Sequence, residues 1–189
     1  MLVLTAFAIP HALHAQRDTL PALPDSAYLM LTLELAIEGT FYVNQIRLFS
    51  ANERRVTVMH ELRDVEVEGC LFRWRHRTRI FEDRAALGRM RETRVPLKAL
   101  DLDRMIVRPA LPGSGSRFDP QPYEIVGYAS QRRTRPIVSV DMDSGLQNRD
   151  WTFAIPVREE EAARRLSAAL IEAGRRCDTW RTAPLPVIR

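Results

Sequence analysis

The sequence predicts a mainly β (α+β) domain of about seven antiparallel strands, closed by one C-terminal amphipathic helix. Two observations support this fold class. Between residues 41 and 155, short runs rich in β-branched and aromatic residues alternate with turn formers such as Gly88 and the segments 109–115 and 143–148. After residue 158, the apolar residues recur at helical spacing instead. Such an order fits either a small barrel or a sandwich of two sheets.

The first residues of the chain predict an export signal. Residues 1–10 form an uncharged apolar run that is too short to span a bilayer as a helix, and Pro10 ends it. Small residues between Ala12 and Ala15 suit a signal peptidase, so we predict a signal peptide at 1–15 with cleavage after Ala15. The protein is then periplasmic or extracellular. The alternative is a buried N-terminal strand or the start of a helix.

A spacer is predicted at 16–27, a single β-rich domain at 28–180 and a tail at 181–189. The first apolar run of this domain, 28–37, fits a strand and a helix equally well. The strands that follow are predicted at 41–49, 55–59, 65–80 with a break near Gly69, 89–95, 104–108, 123–129, 137–140 and 151–155.

The C-terminal helix is predicted at 158–177. Glu159, Glu160 and Glu161 lie at its start and Arg175 and Arg176 near its end, which is the charge order that the helix macrodipole favours. Because an amphipathic helix must bury its apolar face, we expect it to cover the β layers. The apolar face comprises Ala162, Leu166, Ala169, Leu170, Ala173 and Cys177.

A series of antiparallel strands followed by one amphipathic helix resembles the pleckstrin-homology-like domain, in which such a helix caps an open end of a barrel. The resemblance lies in the order of the elements over residues 41–177. It implies a barrel fold and a role in binding lipids, peptides or proteins, and it does not choose among these ligands.

Two cysteines, Cys70 and Cys177, stand far apart in the chain. Cys177 lies on the apolar face of the predicted helix, and Cys70 begins a strand whose alternate residues Phe72 and Trp74 are expected to face the core. In an oxidising compartment we expect the two cysteines to form a disulfide that joins helix to sheet. Without export they would remain two buried free thiols, so this prediction depends on the compartment.

The strand after Cys70 carries a row of cations. Arg73, Arg75, Arg77 and Arg79 share one face of this strand, opposite its large apolar residues. Guanidinium groups bind phosphate and carboxylate through paired hydrogen bonds. The functional hypothesis is therefore an anion-binding face for lipid head groups, envelope polysaccharide or an acidic protein.

The alternative for this face is a solvated surface on which carboxylates of neighbouring strands neutralise the arginines. The candidate partners in that case are Glu66, Glu68, Glu82 and Glu92. Charge runs on a strand are commonly solvated faces of this kind.

The segment 137–146 (IVSVDMDSGL) contains an apolar run followed by Asp141-x-Asp143 and then Ser144 and Gly145. It is similar to the first motif of haloacid-dehalogenase-type phosphatases, in which the first Asp is the nucleophile and the second an acid/base, with magnesium. The resemblance implies catalysis or metal binding by Asp141 and Asp143. Because Asp-Ser-Gly between two β runs is also a turn signature, a simple turn is the alternative.

The composition narrows the classes of function. Lys and Arg number 28 against 24 Asp and Glu, and a net charge of +4 is too small to indicate a nucleic-acid binder. After removal of the signal, no segment is apolar for long enough to cross a membrane. His60 and His76 lack the spacing of metal ligands, and no cofactor motif occurs, so no cofactor is expected.

The sequence as a whole predicts an exported, non-enzymatic domain that binds an envelope component or a protein partner. The alternative is a metal-dependent phosphohydrolase that uses Asp141 and Asp143. These hypotheses belong to different classes, because the first needs only a complementary surface and the second needs a metal and a nucleophile.

Overall fold

The computed structural model of this 189-residue chain describes residues 39–49, 52–82, 85–112 and 116–179. The predicted signal peptide (1–15), spacer (16–27), apolar run (28–37) and tail (181–189) lie outside the described residues. Those segments, and export with them, stay predictions.

Eleven strands and one long helix are present within the described ranges. The helix, α1, spans Glu160–Thr179 and so lies two residues later at each end than predicted. Two short 3-10 turns, Leu97–Ala99 and Leu102–Arg104, follow the fifth strand. The strands are β1 (Thr40–Phe49), β2 (Asn52–Glu68), β3 (Leu71–Glu82), β4 (Ala85–Leu87), β5 (Met90–Pro96), β6 (Ile106–Pro109), β7 (Ser116–Asp119), β8 (Tyr123–Tyr128), β9 (Ile137–Asp141), β10 (Gln147–Asp150) and β11 (Thr152–Val157).

The strands form two antiparallel sheets. In the larger sheet the order is β10-β9-β5-β3-β2-β1-β7, and β4 pairs with the part of β3 that lies beyond β5. In the smaller sheet the order is β11-β8-β6. The predicted mainly β fold with one C-terminal helix is confirmed, in its sandwich form, because the larger sheet ends in two separate edges and does not close into a barrel. The pleckstrin-homology-like resemblance stays a prediction.

The centre of the larger sheet is the long hairpin of β2 and β3. Its turn contains Gly69, whose φ of 57° lies in the left-handed region that glycine adopts without steric cost. A bulge shifts the register of the pair near Asp64, which also has a positive φ. Strand β2 runs through this bulge. The strand predicted at 55–59 and the first part of the strand predicted at 65–80 are therefore one strand.

A continuous hydrophobic core joins both sheets and the helix. Phe72 and Trp74 of β3 are fully buried, as their alternation predicts, and their ring centroids lie 4.9 Å apart. Trp74 also meets the ring of Phe153 in β11 edge-on, with 5.7 Å between the centroids. Leu166 and Leu170 bring α1 to the same core. Burial of each large apolar side chain contributes about 1.5–3 kcal/mol, so this cluster holds the two sheets together.

Helix α1 packs on the smaller sheet and on the 3-10 turns. All six residues of the predicted apolar face are buried there. In the described part of the chain, no helix is long and apolar enough to cross a membrane.

The fold brings Cys70, at the start of β3, to Cys177, near the end of α1. Their sulfur atoms lie at bonding distance and their Cα atoms are 5.8 Å apart, as a disulfide requires. The predicted pair is thus confirmed as compatible with a disulfide. The bond would tie helix to sheet across 107 residues of sequence.

Reduction of this pair should lower the free energy of unfolding by about 4–5 kcal/mol, because a crosslink over a long loop restricts the unfolded chain. Urea denaturation with and without a reductant measures the loss. The double variant Cys70→Ser/Cys177→Ser is the control, since a reductant should not change its stability. Two freely alkylatable thiols in the non-reduced exported protein would contradict the disulfide.

Candidate functional site

A polar cleft of about 570 Å³ opens between the two sheets. Strands β3, β5, β9 and β10 border it on one side, and β6, β8 and β11 on the other. Its volume is in the range of small-ligand sites, but its lining is more polar than most of them. The polar residues of the lining are His76, Arg91, Thr93, Arg108, Ser139, Asn148, Arg149, Asp150 and Thr152.

Strand register brings these residues together. His76 of β3 pairs with Arg91 of β5, and Thr93 of β5 pairs with Ser139 of β9. Residues directly opposite each other in an antiparallel sheet lie on the same face. The face of β3 that buries Trp74 in the core therefore continues, two residues later, into the cleft at His76.

Cationic side chains outnumber carboxylates in the lining, with Arg91, Arg108 and Arg149 against Asp150. Arg108 Nε donates a hydrogen bond of 2.7 Å to Glu124 Oε1, so its charge is compensated. Arg91 and Arg149 form no salt bridge with any other residue that the structure describes. The cleft consequently has an excess of positive charge.

Two histidines from neighbouring strands meet at the cleft. His60 Nδ1 lies 3.3 Å from His76 Nε2, and the two rings stack with centroids 5.5 Å apart. Phe41 stacks on His60, and Thr78 Oγ1 lies 3.3 Å from His76 Nε2. Burial lowers the pKa of both histidines to about 4, with the charges of His60 and Arg91 contributing at His76. Both imidazoles are therefore neutral at pH 7.

The predicted cationic row lies on the outer face of β3, opposite the core, and Arg73, Arg75 and Arg77 have carboxylate partners there. Arg73 forms an ion pair with Glu66. Arg75 donates from Nη1 to Asp64 Oδ2 at 2.7 Å and from Nε to Glu92 Oε2 at 3.2 Å. Two of the expected neighbours, Glu66 and Glu92, thus do pair with the row.

The rest of the row is less tightly paired. Arg77 Nη1 lies 4.0 Å from Glu61 Oε2, and Arg79 is half-buried. The pKa of Arg73 is raised by the hydrogen bond and charge of Glu66 and, to a smaller extent, by Glu68. The side chain of Glu82 lies outside the described part of the structure.

Asp141 is buried, and its carboxylate stabilises the turn between β9 and β10. Its Oδ1 accepts hydrogen bonds from the backbone N–H groups of Asp143 at 3.1 Å and Ser144 at 2.9 Å. Arg89 Nη1 lies 3.4 Å from Oδ2. The hydrogen bonds from Ser144 are the main reason that the pKa of Asp141 is lowered. Gly145, with a φ of 71°, completes the turn that Asp-Ser-Gly favours.

Asp143 is exposed and provides only its backbone N–H to this turn. Across the described ranges, no group of three or more His, Cys, Asp or Glu side chains could hold a metal ion. The hydrogen bonds that Asp141 accepts give it a structural role in the turn. The phosphohydrolase hypothesis stays a prediction, as does anion binding by the outer face.

Neither the cleft nor the contact between His60 and His76 was predicted from the sequence. A hairpin without a bulge would set His60 opposite Arg79, on the face away from His76, whereas the bulge sets His60 opposite Thr78 and so on the same face as His76. The contact between the histidines therefore depends on the bulge near Asp64, which the sequence pattern did not predict. The cleft has no local signal, because strands from distant parts of the chain border it.

Comparison of the chain with protein-family models, curated proteins and solved structures found no match. The function of the cleft must therefore be inferred from its own shape, charge and hydrogen-bonding groups.

Acid should destabilise the folded protein before its carboxylates titrate. The histidine pKa is about 4 in the folded state and 6.5 in the unfolded state, so the unfolded chain binds more protons between these values. Stability present above pH 6.5 is then lost as the pH falls towards 4, by about 3 kcal/mol for the first histidine. Urea denaturation at a series of pH values measures this loss.

The variant His76→Gln is the matched test, because it removes one of the two buried histidines and should roughly halve the loss above about pH 4.5, while His60 keeps its own lowered pKa. The stabilisation by Asp141 and Glu92, whose pKa values are lowered, is lost only at lower pH and should remain in the variant. Identical pH dependence in wild type and variant would show that the pair does not titrate as inferred.

Proposed function

We propose that this protein is an exported, non-enzymatic binding module whose cleft holds an anionic, hydroxyl-rich ligand, such as an acidic saccharide of the cell envelope. The observation that carries the proposal is the pair Arg91 and Arg149, which border a polar cleft and make no salt bridge within the described residues. A cleft with uncompensated guanidinium groups attracts carboxylate, phosphate and sulfate groups.

The remaining lining supports a saccharide more than a lipid chain. The hydroxyls of Thr93 and Ser139 lie 3.4 Å apart, and Asn148 adds an amide, so the cleft offers both donors and acceptors. Asp150 can accept hydrogen bonds from ligand hydroxyls. An acyl chain would leave these polar groups without partners, at a cost of about 1–3 kcal/mol for each one.

The outer face is a weaker candidate for the same ligand. Glu61 and Glu92, which lie beside Arg77 and Arg75, are buried, with side chains only 5% and 7% exposed. If a ligand drew the arginines away, these carboxylates would be left buried with fewer partners. Loss of one partner from a buried ion pair costs about 3–5 kcal/mol. Arg91 and Arg149 of the cleft carry no such cost, because they form no salt bridge among the described residues.

Export is the second part of the proposal. The apolar start of the chain and the disulfide-compatible pair Cys70–Cys177 support it. Expression of the full gene in a bacterial host, followed by sequencing of the mature N-terminus, should find Gln16 as the first residue. A mature protein that retains Met1 would contradict export.

Removal of the cleft arginines should weaken binding of an acidic saccharide. We expect the variant Arg91→Gln/Arg149→Gln to bind digalacturonate at least about tenfold more weakly, because each charge-assisted hydrogen bond contributes about 1.5–3 kcal/mol. Chemical-shift titration of the isotope-labelled protein measures the affinity and locates the site. In wild type, the shifted amides should belong to residues of the cleft.

The matched control removes two exposed arginines elsewhere, Arg133→Gln/Arg175→Gln, and should keep the affinity within about twofold, since distant exposed charges are screened. Equal losses in both variants would indicate a net-charge effect and contradict a cleft site. Binding to phosphatidylglycerol vesicles that is lost only in Arg75→Glu/Arg77→Glu would favour the outer face instead.

A further inference from the structure

His76 connects the cleft to a titratable pair. Its side chain belongs to the lining, and its Nε2 lies 3.3 Å from Nδ1 of His60. In the neutral pair, one of these nitrogens donates and the other accepts. When His76 Nε2 is the donor, a further proton goes to Nδ1 of His76 and the N–H···N bond between the rings is kept. The new N–H of the imidazolium then needs an acceptor of its own. The cleft beside His76 is where such an acceptor can bind.

The neighbouring elements present three arginines and two aspartates to this pair. Arg91 lies opposite His76 on β5. The cleft residues contributed by β8 and β11 are uncharged, and Phe41 of β1 is apolar. The remaining charged groups are Arg108 on β6, which is paired with Glu124, Asp141 on β9, which is held by its turn, and Arg149 and Asp150 on β10.

We propose that an anion in the cleft binds beside His76 and Arg91, and that the His60–His76 pair takes up a proton when it binds. The inference rests on the proposed function, because it requires that the cleft binds anions. It adds one binding residue, His76, with His60 as its positioning partner, and it makes affinity depend on pH. The ligand class is an anion with a carboxylate, sulfate or phosphate group that can accept from an imidazolium.

The coupling follows from linkage. An anion close to His76 favours the charged imidazolium, and it also partly neutralises Arg91, whose charge opposes protonation in the free protein. The proton-binding equilibrium and the anion-binding equilibrium must then promote each other equally. Uptake of one proton makes the affinity rise by up to about tenfold for each unit by which the pH falls.

The experiment follows the imidazole resonances of isotope-labelled, oxidised mature protein by NMR. Sulfate is the probe, because its own charge does not change between about pH 5 and 8, and chloride at matched ionic strength is the reference. We expect the pKa of the histidine pair to rise by about one unit or more in saturating sulfate. We also expect the dissociation constant for sulfate to fall between about pH 7 and 5, by about twofold for a rise of one unit and about tenfold for a rise of two.

His76→Gln separates this coupling from the general increase of positive charge in acid. The variant should still bind sulfate at pH 7 through Arg91 and Arg149, but its affinity should change little between about pH 7 and 5. Equal pH dependence in wild type and variant would overturn the inference. A measurement of folded fraction at each pH accompanies the titration.

The outcomes distinguish the two proposals. Shifts of cleft resonances with an affinity that does not depend on pH, and an unchanged histidine pKa, would overturn proton coupling and leave anion binding intact. Absence of cleft shifts with both sulfate and digalacturonate at every pH would overturn both. Tighter binding in acid that is lost in His76→Gln would support the inference.

Discussion

Strand β3 lies near the centre of the larger sheet, and its alternation places successive residues on opposite faces. One face contributes Phe72 and Trp74 to the core and then His76 to the cleft. The other face holds the four arginines of the row. A shift of one residue in its register would bury the arginines and expose the aromatics, which would cost far more than the few kcal/mol of stability that a domain has. The core, the cleft and the outer face therefore all depend on this register.

The arginines on the two faces of the larger sheet differ in how their charge is compensated. On the outer face, Arg73 pairs with Glu66, which lies opposite it on β2. Arg75 pairs with Glu92, which lies opposite it on β5, and with Asp64 at the bulge of β2. In the cleft, the larger sheet faces the smaller one, and the lining includes polar side chains but only one carboxylate. Asp141 lies opposite Arg91 on β9, but its carboxylate accepts from its own turn and lies near Arg89, so Arg91 forms no salt bridge among the described residues. The number of arginines on a face thus says less about anion binding than the position of nearby carboxylates does.

The sequence predicted those strands and the helix in which apolar residues recur at a regular spacing, because such spacing marks a buried face. The alternation around Phe72 and Trp74 and the helical spacing up to Cys177 both correspond to buried faces. Strand β10 was missed because all four of its residues are exposed at a sheet edge, so no apolar period marks it. The cleft could not be predicted because it depends on the pairing of β5 with β9, which joins Arg91 to Asp141 across a long stretch of sequence. Local sequence does not specify such a pairing.

The two ends of the sandwich have different roles, and the order of residues along β3 shows which end has which role. Cys70 lies just before the strand and meets α1 through Cys177, so the crosslink fixes the end of the sheets that is away from His76. Trp74 and Phe153 follow as the contact between the sheets. Beyond them the polar cleft opens, bordered by His76 of the neutral imidazole pair and by the exposed guanidinium of Arg91. Burial of the two imidazoles reduces stability in acid, whereas the aromatic core and the crosslink do not titrate. The end of the sandwich with the anion-binding cleft is therefore also the end whose contribution to the free energy of unfolding depends on pH. The core and the crosslink at the opposite end contribute stability that does not change with pH, and this stability keeps the protein folded when the cleft end is destabilised in acid.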